Sequence, residues 1–181
     1  MWVLPQRRRI PGILALLLLL GGCHYQAEII IERNGSGHGQ VVITDPPPGV
    51  TVADVGRQLG INGFHVVQVT QPNAETMVAD VSWQDFEKPF RRRIVNPDHS
   101  VTLDFGPIDQ GQLIVHVPGR IDVEDTTGAV SGTDTALFHP GRARVTYLPA
   151  ARWILVLITA VTLVLVAAVV LAVRLSVKRR A

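Results

Sequence analysis

The sequence predicts an α+β fold: a mostly antiparallel sheet with one or two short helices, followed by a single C-terminal transmembrane helix. Three observations predict it. Between residues 25 and 147, apolar and polar residues alternate in eight or nine short stretches, the period of half-buried strands. One stretch, with Val52, Val55 and Leu59, repeats at helical spacing instead. Residues 153–173 then run for 21 positions without a charge. A helix of that length reaches about 30 Å, the thickness of a bilayer's hydrocarbon core.

The chain starts with Arg7, Arg8 and Arg9, then a short apolar stretch over 10–20. Small residues Gly21 and Gly22 follow, the layout of an export signal. Leu20-Gly21-Gly22-Cys23 resembles a lipobox, the site at which lipoprotein signal peptidase cuts before a diacylglyceryl-modified cysteine. The alternatives are an ordinary signal peptide followed by a chance cysteine, and an uncleaved anchor. Cys23 is the only cysteine in the chain, so an internal disulfide and a thiolate metal cluster are both excluded. The expected organisation is a signal peptide (1–22), an exported α+β domain (23–150), a transmembrane helix (151–174) and a basic cytoplasmic tail (175–181). Basic residues at both ends bracket the exported part, as cytoplasmic flanks do.

Within that domain, Tyr25, Ala27, Ile29 and Ile31 share one strand face. A glycine-rich loop over 34–39 leads to a second strand, which Pro46, Pro47 and Pro48 end. Thr51 with Asp54 forms a capping-box pattern for a helix over about 51–59, with Gly60 as its C′ residue. Strands then follow over 64–70, through Met77, Ala79, Val81 and Trp83, and over 90–95 and 101–105. Residues 82–87 could start a second helical turn that Pro89 would end. Leu113, Val115 and Val117 mark another strand, and Ile121 with Val123 a further one. A polar turn over 126–133 precedes two final strands around 136–138 and 142–147.

The net charge of +2 hides a segregation. Residues 24–151 hold all 15 acids against nine bases, a formal −6. An acidic domain argues against nucleic acid as a partner. The six histidines show neither HExxH nor an i, i+4 pair on a helix, so no metal site is expected. No G-x-S-x-G, P-loop or dinucleotide-binding pattern appears, and no catalytic residue is assigned. The one electrostatic feature is the run Arg91, Arg92 and Arg93. On a strand Arg91 and Arg93 share a face and Arg92 takes the other. The commoner use of such a run is an edge strand protected by charge. The other is a site for phosphate head groups.

Lipobox, early first strand, domain size and terminal apolar stretch together resemble the LppM-type lipoproteins of mycobacteria and other actinobacteria. The local likeness lies in Leu113-Ile114-Val115-His116-Val117-Pro118-Gly119, the Thr-Thr-Gly turn at 126–128, and His139-Pro140-Gly141. The family's tryptophan before that last step is missing; Ala136 and Leu137 stand there. The resemblance implies a surface-exposed, single-pass membrane lipoprotein of the cell envelope, with a diacylglyceryl lipid on Cys23 and no other cofactor. Its exported domain is expected to bind an envelope lipid or glycolipid, or a neighbouring envelope protein. The alternatives are an accessory subunit of a membrane assembly without a ligand, and a hydrolase without a recognisable motif.

Overall fold

The structure, a computed structural model, describes residues 24–150 and 161–162. Its elements begin with β1 (His24–Ile31), β2 (Gly37–Thr44), α1 (Val52–Ile61), β3 (His65–Asn73) and β4 (Thr76–Trp83). Next come β5 (Arg92–Val95), β6 (Val101–Ile108), β7 (Gln112–His116) and β8 (Gly119–Asp122). β9 (Ala129–Ser131), β10 (Thr135–Phe138) and β11 (Gly141–Pro149) complete the order.

Two sheets result. The larger has seven strands in the order β3-β4-β2-β1-β7-β10-β9, and the smaller has four in the order β5-β6-β11-β8. Within the larger sheet β1 and β7 run parallel, and its other ladders are antiparallel. Alternation decides which face is buried. β4 buries Met77, Ala79, Val81 and Trp83, leaving Val78, Asp80 and Ser82 outward. β1 likewise buries Ala27, Ile29 and Ile31. These side chains join Val101, Leu103, Phe105, Val145 and Tyr147 of the smaller sheet in one apolar core.

Aromatic rings tie the sheets together. Trp83, Phe64, Phe90, Phe86, Phe105 and Phe138 touch in sequence, with centroid separations from 4.8 to 6.1 Å. All five phenylalanines of the chain are in this set. Five of the seven pairs meet edge-on, and such pairs add about 0.5–1.5 kcal/mol each beyond the area they bury. Phe86 and Phe90 lie on the segment that crosses from β4 to β5, so they fix the smaller sheet under the larger.

Helix α1 packs Val55 and Leu59 toward β3 and β4. Thr51 caps it: its hydroxyl accepts from the Asp54 N–H at 3.2 Å, while Asp54 accepts from the Thr51 N–H at 3.1 Å. The Thr51 hydroxyl, which donates to Asp54 Oδ2 at 2.6 Å, and then the Thr51 N–H hold the Asp54 carboxyl below its ordinary range. The helix continues past Gly60 to Ile61, Asn62 is its C-cap, and Gly63 takes the left-handed turn with φ 92°.

The expected α+β class is overturned. With 54% of the described residues in strands and 9% in helix, the domain is mostly β. Residues 84–90 form turns rather than a second helix, because Pro89 and the buried Phe86 and Phe90 fix a crossing instead. β3 runs three residues beyond the expected 64–70, and the expected turn over 126–133 contains all of β9. Pro72 is tolerated because β3 is an edge strand. As for the expected C-terminal transmembrane helix, no helix among the described residues is long and apolar enough to cross a membrane. Residues 153–173 lie outside the described residues except for 161–162, as do the signal-peptide residues and Cys23.

Candidate anion-binding face

Strand pairing sorts charge in a way the linear sequence does not. The strands of the seven-stranded sheet carry Glu28 and Asp80 and neither lysine nor arginine, a formal −2. Those of the four-stranded sheet carry five arginines (92, 93, 120, 142 and 144) against Asp104 and Asp122, a formal +3. An overall acidic domain therefore has one basic side.

Asp104 organises that side. It is 8% exposed, on β6, and its Oδ1 accepts the Gly106 N–H at 2.9 Å. Arg142 from β11 reaches Oδ2 at 3.2 Å, and Arg91 stands 3.9 Å from the same oxygen. A buried carboxylate needs such partners, because desolvation without them costs several kcal/mol. One neighbouring pair extends the pattern: Arg144 meets Asp125 at 3.1 Å, and Asp125 also accepts from the Thr146 hydroxyl at 2.8 Å. Beneath them Thr102 and Thr146, both 2% exposed, share a hydrogen bond of 2.9 Å.

The run of three arginines is split by this arrangement. Arg92 pairs across from Asp104 in the ladder, points outward, and makes no ion pair among the described residues. Arg91 precedes the first residue of β5 and turns to Asp104. Arg93 faces the other way, opposite the buried Leu103. Its guanidinium donates to the Arg33 carbonyl at 3.5 Å and reaches the Tyr147 hydroxyl. Burial raises the Tyr147 phenol above its ordinary value, while Arg93 beside it pulls the other way. Gly35, at φ 89°, leaves room for this side chain, since a Cβ there would stand 3.1 Å from Arg93 Cδ. The small cavity beside it, about 210 Å³, is also lined by Asp85 and Glu87, which oppose an anionic ligand.

Thus the face consists of Arg91, Arg92, Arg142, Arg144 and the outward Arg120 of β8. Sequence reasoning found the first two. It missed the others, which are 28 to 53 positions away from Arg91 or Arg92 and join them only through the β6–β11–β8 pairing. Cys23, with Leu20, Gly21 and Gly22, lies outside the described residues.

A second constellation invites a catalytic reading. His116 Nε2 meets Glu28 at 3.0 Å and its Nδ1 meets the Thr135 hydroxyl at 3.0 Å. The three sit on one face of the sheet, on the adjacent strands β1, β7 and β10. Among the described residues no group of three or more histidine, cysteine, aspartate or glutamate side chains could hold a metal ion. In comparisons with protein families, curated proteins and solved structures, nothing matches the chain.

Proposed function

We propose that this chain is a membrane-anchored envelope lipoprotein whose exported domain binds anionic envelope lipid through the arginine face of its four-stranded sheet. The observation that carries the reading is the charge division between the two sheets. A domain of formal charge −6 is repelled by an anionic bilayer unless it offers a local basic surface. Arg92 and Arg120 are outward and without ion pairs among the described residues, which suits them to phosphate oxygens. The lipobox-like Leu20, Gly21, Gly22 and Cys23 and the uncharged 153–173 support a location at the membrane. The resemblance to LppM-type lipoproteins agrees with it.

The test is co-sedimentation of residues 24–150 with vesicles. Phosphatidylglycerol vesicles should bind the domain weakly, and binding should fall as salt rises from 0.05 M through about 0.5 M, where screening shortens the Debye length to a few ångströms. Arg92→Ala with Arg120→Ala should lower binding about thirtyfold, each side chain near the surface contributing about 1 kcal/mol. Undiminished binding by this variant would sink the reading.

A further inference from the structure

The outer face of the seven-stranded sheet carries a second pattern that only register reveals. One row crosses the whole sheet: His65, Ser82, His38, Ile30, His116, Thr135 and Ser131 stand as successive partners from β3 to β9. His38 and His65 are exposed and His116 is half-buried. Adjacent strands are about 4.8 Å apart, so His38 and His65 are roughly 10 Å from each other and can both carry charge. His24 adds a fourth histidine at the far end of β1.

These histidines are the only basic side chains in the strands of that sheet. The charged groups that face them are few. β1 supplies Glu28, which pairs with His116, and β4 supplies Asp80, which accepts from Gln40 of β2 at 2.9 Å. β7, β9 and β10 add no acid of their own, and Asp134 adjoins Thr135 at the start of β10. Histidine changes charge between pH 5 and 8. Protonation of all four takes the strands of this sheet from a formal −2 to +2, reversing the sign of the face. The same face exposes aliphatic side chains: Ile30 is 40% and Val67 65% exposed. Both line an open depression of about 420 Å³ with Glu28, His38, Gln40 and Asp80.

We infer that this outer face is an acid-activated docking surface for an anionic bilayer, on the opposite side of the domain from the arginine face. A bilayer fits better than an acidic peptide. The surface is broad and open, and it mixes cations with branched aliphatics, as the head-group boundary mixes phosphates with apolar chain. Acid turns this face into an anion-binding surface, so the anchored chain can hold a second membrane. The inference does not depend on the arginine face.

The full chain, reconstituted in phosphatidylcholine vesicles, is mixed with labelled vesicles containing phosphatidylglycerol at pH 7.5 and pH 5.0 and constant ionic strength. Capture should rise about tenfold on acidification. His38→Gln with His65→Gln should remove most of that rise, whereas Arg92→Ala with Arg120→Ala should lower capture at pH 7.5 and leave the rise. Asp80→Asn, which keeps the oxygen that Gln40 bonds, should move the onset of capture to higher pH. Capture at pH 5.0 alone would support this surface and count against the arginine face. Equal capture at the two pH values overturns the inference. So does an acid-induced rise unchanged in both the histidine and the Asp80 variants, or equal capture of labelled vesicles made of phosphatidylcholine alone.

Discussion

Arg142 Nη2 donates to Asp104 Oδ2 across 3.2 Å, and this contact joins two strands that lie 38 positions apart in the chain. The carboxylate is buried and the guanidinium is mostly in water, with 61% of the arginine side chain exposed. The pair therefore has unequal halves. Removing the arginine leaves Asp104 with Arg91 and the Gly106 N–H, while removing the carboxylate leaves several donors around a void.

Asp104→Ala should accordingly cost about 2 kcal/mol of stability, read as a fall in the denaturant midpoint at unchanged slope. It also removes a negative charge from the arginine face. Binding to phosphatidylglycerol vesicles at low salt should become tighter, severalfold, in the fraction that remains folded. A variant that is destabilised and also binds less would show that the face does not act by its charge.

Arg92 and Arg93 are neighbours in sequence with opposite environments, so they should separate stability from binding. Arg92→Ala should leave stability within about 0.5 kcal/mol and weaken vesicle binding. Arg93→Ala should cost about 1–2 kcal/mol, because it strips packing from Gly35 and a hydrogen bond from the Arg33 carbonyl, and should leave binding nearly unchanged in the folded protein. The reverse result would mean that Arg93 swings out to the lipid.

Lipidation is tested independently of the domain. Cys23→Ala should abolish labelling by a palmitate-analogue probe and leave the precursor uncut, seen as a slower band on a denaturing gel. Persistent labelling would place the acyl group elsewhere, since the chain has no second cysteine.

Much of the core was legible because it depends only on local alternation. Met77, Ala79, Val81 and Trp83 are spaced two apart, and β4 buries all four. The Thr51–Asp54 capping box is equally local, with both bonds made within three residues. The expected second helical turn over 82–87 failed because residues 82 and 83 complete β4 and the buried Phe86 and Phe90 then fix a crossing between sheets. The predicted shared face for Arg91 and Arg93 failed for a related reason: Arg91 precedes β5 and is free of its parity. The candidate faces were hidden because they belong to register. Nothing near Arg92 announces Arg142, and nothing near His38 announces His116; only the parallel β1–β7 pairing, which no local period encodes, brings the latter into line.

Two glycines test whether the larger sheet closes as tightly as its geometry requires. At Gly37 a Cβ would run into the Ile30 carbonyl and stand 2.5 Å from Trp83 Cζ2. Neither neighbour can yield. The carbonyl belongs to the β1–β2 ladder, and the Trp83 indole is 4% exposed with its N–H donated to the Gly35 carbonyl at 3.1 Å. Gly37→Ala should therefore cost about 2–3 kcal/mol by overpacking and strand displacement, and the tryptophan emission should shift to the red as the indole gains water. Gly60 is the contrast. It lies in α1 with open space where its Cβ would be and without a positive φ. Gly60→Ala should stabilise the domain by about 0.4–1 kcal/mol, chiefly by restricting the unfolded chain, and leave the emission unchanged. Equal effects of the two substitutions on the denaturant midpoint would show that β2 and Trp83 are not packed at this distance.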